Sequence, residues 1–361
     1  MTRFSVVWIL LLWAAVPLVP QQVVPPAPVV AAASTEGDGR IRLDVVVRDK
    51  SGGAVAGLEQ HDFTVFDNKQ PQPIVSFEAL GRTAAGDGDA QAIVVIDEVN
   101  SGFQTVTYGR QQIKKFLRQD GGKLGRPLSI DILSDAGLSI ENTPTLDGNA
   151  LATYMDQHPT GLRVVRRSQG VYGAAERLDI SLRALEQLAA YEEKQPGRKL
   201  VLWVSPGWPL LTGPHIELTS KQQESIFQSV VALSTGLRRA RIALYAVDPL
   251  GTGDAGSLRS FYYEQFLKGV AAASQAQFAN LALQVLAVQS GGRVLNSNND
   301  IGGELQSCLR DAHAYYVLSY EGPAADGPNE YHAIEVKVDQ PQAKVQTRTG
   351  YYAQPTRPHT P

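Results

Sequence analysis

The chain carries a single cysteine, Cys308, so no internal disulfide braces it and no cysteine-built zinc or iron–sulfur site exists. Its six histidines (His61, His158, His215, His313, His332 and His359) include no two that stand three or four residues apart. That excludes the paired imidazoles with which one helix face binds a metal. Charge of one sign is also missing: 33 Lys and Arg against 36 Asp and Glu leave a net −3. There is no overall basic excess of the kind that tracks nucleic acid, and no polybasic stretch for an anionic membrane. The nearest approach to a serine-hydrolase elbow, Val204-Ser205-Pro206-Gly207, lacks the first glycine. Its proline removes the backbone donor that would follow the nucleophile. Gly251-Thr252-Gly253-Asp254-Ala255-Gly256 has no Lys-Ser/Thr pair behind it and reads as a surface loop, not a phosphate cradle.

What is present begins with an apolar leader. Arg3 is the only charge before Glu36, and Phe4 to Val19 is nearly all apolar. A basic start and a short hydrophobic run form an export signal, with Ala31-Ala32-Ala33 as a small-residue cleavage site and Pro20–Gln22 as an earlier one. Retention as an uncleaved anchor is the alternative. No cysteine follows the run, which excludes a lipoprotein. We therefore expect export to the periplasm, cell surface or extracellular space, with membrane contact only through this segment.

With 361 residues, of which 43% are hydrophobic, the chain has room for about two domains. The pattern divides it into a leader (1–33), a linker (34–40) that ends the Pro/Ala/Val/Gly-rich stretch 21–39, a strand-rich segment (41–80) and a Gly/Ala/Asp-rich linker (81–91). An alternating strand–helix segment (92–312), a second strand-rich segment (313–353) and a polar tail (354–361) follow. In the first strand-rich segment, Ile41, Leu43, Val45 and Val47 alternate with Arg42, Asp44 and Arg48, the period of a half-buried strand. Phe63–Phe66 and Ile74–Phe77 continue in the same manner, and Tyr315–Tyr320, His332–Val338 and Val345–Tyr351 resume it after residue 313. Two or three strands do not close a core alone, so both flanks are expected to join in one small β-sandwich.

Between them, Ala92–Ile96 is a continuous apolar run, as expected of a strand buried on both faces, and Leu128–Leu133, Lys199–Val204 and Ile242–Val247 read as further strands of the same unit. Helical periodicity appears around Ile113–Leu117, over 170–194, over 226–237, around Phe278–Val288 and over 300–311. The fold class is therefore α/β, a mostly parallel, Rossmann-like sheet with helices on both faces, inserted in or flanked by the sandwich. Ligands of such sheets bind outside the carboxyl ends of the strands. That singles out Asp97, Ser134, Asp135, Ser205 and Asp248. Trp208, just past one strand end, is placed at the crevice rim as a partner anchor. His332 is read as a hydrogen-bonded packing residue, Tyr262, Tyr263 and Phe266 as packing, and Arg163, Arg166 and Arg167 as a solvated loop that can meet an acidic partner.

The run Ile93-Val94-Val95-Ile96-Asp97-Glu98-Val99-Asn100-Ser101 resembles the first strand and loop of the von Willebrand factor type A domain. The order of the motifs around it is similar to that of exported bacterial proteins related to that domain: Val45–Asp49, Gly57-Leu58, Asp62–Val65, Pro196–Lys199, Trp203–Gly207, Tyr315–Leu318, Tyr331–Val336 and Arg348–Tyr352. The resemblance covers roughly residues 40–353 and implies the α/β fold above. It also implies a metal-ion-dependent adhesion site of Asp-x-Ser-x-Ser, a Thr and a further Asp, where a magnesium ion takes oxygen ligands and leaves a position for a partner's carboxylate. Here the site is degenerate. Val99 replaces one hydroxyl, Ser168 stands for the Thr and Ser205 for the second Asp, leaving Asp97 and Ser101 as the ligands.

The resulting expectation is a non-enzymatic, adhesion-type module without an obligatory cofactor. It would recognise a protein partner through Asp97, Glu98, Ser101, Ser205 and Trp208 and would not bind nucleic acid. Two alternatives stay open: a cell-envelope hydrolase using Asp97 or Ser205, and a structural envelope protein with an inactive scaffold domain.

Overall fold

A computed structural model of the chain describes residues 39–80, 90–140, 143–160, 170–211, 217–251, 262–312 and 314–355. The leader, most of both linkers and of the tail, Ser168, the Arg163–Arg167 cluster and all but the first residue of the Gly251–Gly256 loop lie outside the described residues. Among the described residues no helix is long and apolar enough to cross a membrane.

Four strands precede the central unit: β1 (Arg40–Arg48), β2 (Phe63–Asp67), β3 (Gln70–Gln72) and β4 (Ser76–Leu80). Then come β5 (Ala90–Asp97), α1 (Phe103–Leu117), β6 (Lys123–Ser134), β7 (Gly137–Ser139), β8 (Thr145–Asp147) and α2 (Gly148–Gln157). They are followed by α3 (Val171–Glu192), β9 (Arg198–Val204), α4 (Ser220–Arg239), β10 (Ile242–Val247), α5 (Leu283–Gln289), β11 (Val294–Leu295) and α6 (Ile301–Arg310). Four strands end the fold: β12 (Tyr315–Glu321), β13 (Glu330–Val338), β14 (Lys344–Gln346) and β15 (Gly350–Ala353).

The central sheet runs β11-β10-β9-β5-β6-β7, with β8 also on β6; β5, β6, β9, β10 and β11 are parallel. Consecutive side chains of β5 point to opposite faces. Ala92, Val94 and Ile96 pack with Val106, Ile113 and Phe116 of α1, Leu151 of α2 and Leu305 of α6. Ile93 and Val95 pack with Leu185 and Leu188 of α3, Val230 of α4 and Leu286 of α5. Helices therefore cover both faces, and the continuous apolar runs of the sequence have this cause.

Two antiparallel sheets, β14-β1-β12-β4 and β15-β13-β2-β3, stack through Leu43, Val45, Val65, Tyr316, Leu318, Val336 and Tyr351. Each draws strands from both flanks of the central unit. The central strand β12 is buried on both sides: Tyr316, Leu318 and Tyr320 face the sandwich core, whereas Tyr315 and Val317 face the α/β core. Val46 of β1 and Tyr352 of β15 cross over in the same way. An acidic knot reinforces that contact. Asp311 accepts from Arg48 Nε at 2.9 Å and Tyr245 OH at 2.9 Å, and Arg293 reaches it at 3.2 Å.

Inside the sandwich, Asp67 accepts from the hydroxyls of Tyr320 and Tyr351, both at 2.8 Å, and shares a 2.7 Å bond with His332 Nδ1. The packing role expected of His332 is therefore that of one spoke around a buried carboxylate. The strand expected over Val345–Tyr351 is two strands in different sheets, β14 on β1 and β15 on β13. The chain crosses between them at Thr347–Thr349, where Thr349 N donates to Gln289 O of the α/β unit.

Candidate functional site

The carboxyl ends of the parallel strands are level. Ile96 lies beside Val204, Val204 beside Val247, and Asp97 beside Leu133. Asp97, Ser134, Ser205 and Asp248 therefore emerge along one edge. The N-termini of α1 and α3 meet the same edge. α1 follows β5 directly, and α3 is 22 residues long, about 33 Å. It ends at the turn into the start of β9, which puts its beginning at the opposite, carboxyl end.

Asp97 lies at the centre of this edge but is only 1% exposed. Oδ1 accepts from the backbone N–H groups of Val99 and Asn100, both at 2.9 Å. Oδ2 accepts from Asn100 Nδ2 at 2.9 Å and from the indole Nε1 of Trp203 at 3.1 Å. The second proton of the Asn100 amide goes to Ser181 Oγ of α3 at 2.8 Å, and Ser181 donates onward to Arg177 O at 2.8 Å. Two backbone donors, one amide and one indole thus fill the four acceptor directions of the carboxylate.

Glu98, one residue on, points the other way. Its carboxylate meets Arg110 Nη1 of α1 at 3.2 Å, and Arg110 also donates to the carbonyls of Met155 and His158 at the end of α2. Glu98 is therefore a structural ion pair fixing α2 to α1 and does not join Asp97 in a common site. Ser101 is buried. Ser205 is buried as well; its backbone N–H donates to Val247 O, and its Oγ accepts from Gly207 N at 3.2 Å.

Trp208 departs from its expected place at the rim. It is 0% exposed and stacks edge-on against Trp203, with ring centroids 5.3 Å apart. Gly207 is the cause. Its φ of +104° turns the chain inward after β9, and a Cβ there would sit 2.3 Å from Gln284 Nε2. The Ser-Pro-Gly turn, read from the sequence as presenting the tryptophan outward, instead returns it to the core.

The exposed apolar side chains at this edge are different ones. Phe103, at the start of α1, is 57% exposed, and Tyr172, at the start of α3, is 83% exposed. Leu250, just after β10, is also exposed. Sequence reading missed Phe103 and Tyr172 because each continues an apolar pattern into a helix. It missed Asn100 and Ser181 because a hydrogen-bonded pair 81 residues apart leaves no local signal. Trp203 did carry a signal: a tryptophan in an aliphatic buried strand needs an acceptor for its N–H.

Two more carboxyls stand out near the sheet. Asp131 of β6 is 1% exposed, neither of its oxygens has a hydrogen-bond partner among the described residues, and burial together with the charge of Glu192 pushes its pKa up to about 8. It shares a sheet face with Leu133, which packs on the α3 side. Glu304 of α6 is pushed up to about 7 by burial and by the charges of Asp248 and Asp300.

The oxygens that the resemblance assigns to magnesium do not fit the ion. A cation at Asp97 would face four inward N–H donors, two of them fixed in the backbone, in place of free lone pairs.

No protein-family model and no curated protein matches the chain. Among solved structures, the human COPII-coat protein Sec24c is similar over 74% of this chain and 44% of its own, with 10% identity and a TM-score of 0.31. The chain thus spans under half the length of that protein. The chain has a mixed α/β fold, with a mostly parallel central sheet covered by helices and with added antiparallel sheets.

Proposed function

We propose that the chain is an exported, non-enzymatic protein-binding module of von Willebrand A-like type that meets a protein partner at the carboxyl edge of its parallel sheet. The observation that carries this reading is the exposure of Phe103 and Tyr172 at that edge, each the first or second residue of a helix. A large aromatic side chain left in water at the ligand-binding end of an α/β sheet is the common anchor of a protein interface. The reading moves the contact from Trp208, Asp97, Glu98, Ser101 and Ser205, all buried or internally paired, to the two aromatics. The occupied state of Asp97 and the burial of Ser205 weigh against a hydrolase built on either residue. The apolar, Arg3-led N-terminus supports export.

The test is Phe103→Asp combined with Tyr172→Asp. Partner recovered from the source cells on the parent chain should bind the variant at least about tenfold more weakly, the equivalent of 1.4 kcal/mol. The melting temperature should stay unchanged, because both side chains are exposed. Equal binding by parent and variant refutes the proposed edge. Turnover of cell-wall material that is lost in Asp97→Asn would replace the reading with a hydrolase.

A further inference from the structure

We infer that the Asp97 network is a built-in substitute for an ion: the Asn100 side-chain amide, wedged between Asp97 and Ser181, holds the carboxyl edge in shape without any divalent cation. The inference stands on hydrogen bonds alone, so it survives or fails independently of the docking reading.

A metal ion bound to a strand-end carboxylate does three things for a loop. It neutralises the charge, ties the loop to neighbouring elements and excludes water. Here each task already has a protein group. Asn100 N and Val99 N, 2.9 Å from Oδ1, bring the positive ends of two peptide dipoles to the carboxylate. Trp203 Nε1, 3.1 Å from Oδ2, ties the loop to β9. Asn100 Nδ2 ties it to α3 by donating to Asp97 Oδ2 at 2.9 Å and Ser181 Oγ at 2.8 Å. The amide orientation follows from the chemistry: the opposite one would set the amide oxygen against the carboxylate. Asp97, Val99 and Ser181 are buried and Asn100 is partly buried, so water has little access to the carboxylate.

An incoming cation would have to displace at least one of these donors. Two belong to the backbone of the loop, one to an indole packed against Trp208, and the fourth to the Asn100 amide, which Ser181 also holds. A displaced donor would be left buried and unpaired. The departures from the adhesion-site pattern are therefore mutually consistent. Where the hydroxyl ligands are lost, Asn100 and Trp203 supply donors in their place.

The test uses the full chain and follows thermal unfolding with chelator, with millimolar magnesium and with millimolar manganese, alongside the indole N–H resonance of Trp203. The parent is expected to melt at one temperature in all three conditions, with the Trp203 N–H slow to exchange. Asn100→Ala should lower the melting temperature by several degrees and speed that exchange, whereas Asn100→Gln, whose extra methylene carries the amide past both acceptors, should not restore the parent's values. Asp97→Asn, which swaps an acceptor for a donor facing Trp203 or Asn100, should release the indole proton to solvent. A saturable shift of the parent by magnesium or manganese that Asp97→Asn abolishes overturns the inference. So does an Asn100→Ala chain with the parent's melting temperature and exchange rate. A metal shift retained in Asp97→Asn arises elsewhere and upholds it.

Discussion

Replacing Asp131 with asparagine should flatten the pH dependence of the chain's stability between pH 5 and 7. The carboxyl lies on β6 within the apolar face covered by α3, 1% exposed and, among the described residues, without a hydrogen-bond partner for either oxygen. Burial and the Glu192 charge raise it from an ordinary 3.8 to about 8. A raised carboxyl means that the folded chain binds more protons than the unfolded one. Stability is therefore undiminished below the unfolded value, falls with rising pH, and levels off above the folded value. The slope in that window is about 1.4 kcal/mol per pH unit, so the parent loses roughly 2–3 kcal/mol from this residue between pH 5 and 7.

Asparagine keeps the shape and cannot ionise. Glu304, also raised, slopes in the same direction in both proteins, so the difference between parent and variant isolates Asp131. Lys199, held down to about 8 by burial, acts with the opposite sign above that pH, which sets the upper limit of the useful window. Urea unfolding at each pH, followed by fluorescence of the buried Trp203 and Trp208, gives the numbers. The variant should gain about 2–3 kcal/mol on the parent between pH 5 and 7. Parallel curves for the two proteins would refute the reasoning, because they would mean that Asp131 is ionised and solvated in the folded chain.

Two other buried carboxylates lead to predictions of the opposite sign. Asp67→Ala strands two tyrosine hydroxyls and His332 in the sandwich core and should destabilise the chain by roughly 3–5 kcal/mol, read as a fall of about 10 °C in melting temperature. Asp311→Asn leaves the buried Arg48 and the partly buried Arg293 without their counter-charge, at a loss of roughly 3 kcal/mol. Hydrogen exchange should quicken first in β1 and β14, which the Arg48–Asp311–Gln346 contacts join to the central unit.

The mixed α/β architecture was legible because the two strand types differ in pattern. β5, β9 and β10 are buried on both faces and read as unbroken apolar runs, whereas β13 shows its alternation plainly in His332, Ile334 and Val336. β12 was misread as half-buried. Its tyrosines look amphipathic, but both faces are covered, with Tyr316 and Tyr320 in one core and Tyr315 in another. The strands β3, β7 and β8 escaped notice because three residues hold too few periods to register, and α2 was missed with them. At the site, sequence alone located the edge and Asp97. It did not show what Asp97 binds, because Trp203 and Ser181 come from elements remote in the chain, and only folding sets their N–H and O–H groups around the carboxylate. Trp208 was misplaced because the direction of a chain after a strand depends on one dihedral, the positive φ of Gly207.

The most direct measurement uses one helix as its own control. A photo-crosslinking residue is placed at Tyr172, at the carboxyl edge, and in a second protein at Tyr191, near the far end of the same helix and also exposed. A third carries it at Phe103. Irradiated in the cells that produce the chain, the proteins labelled at 172 and 103 should yield an adduct of one shared mass, and the protein labelled at 191 should not. Adducts at 191 alone, or no adduct at either 172 or 103, would contradict docking at this edge.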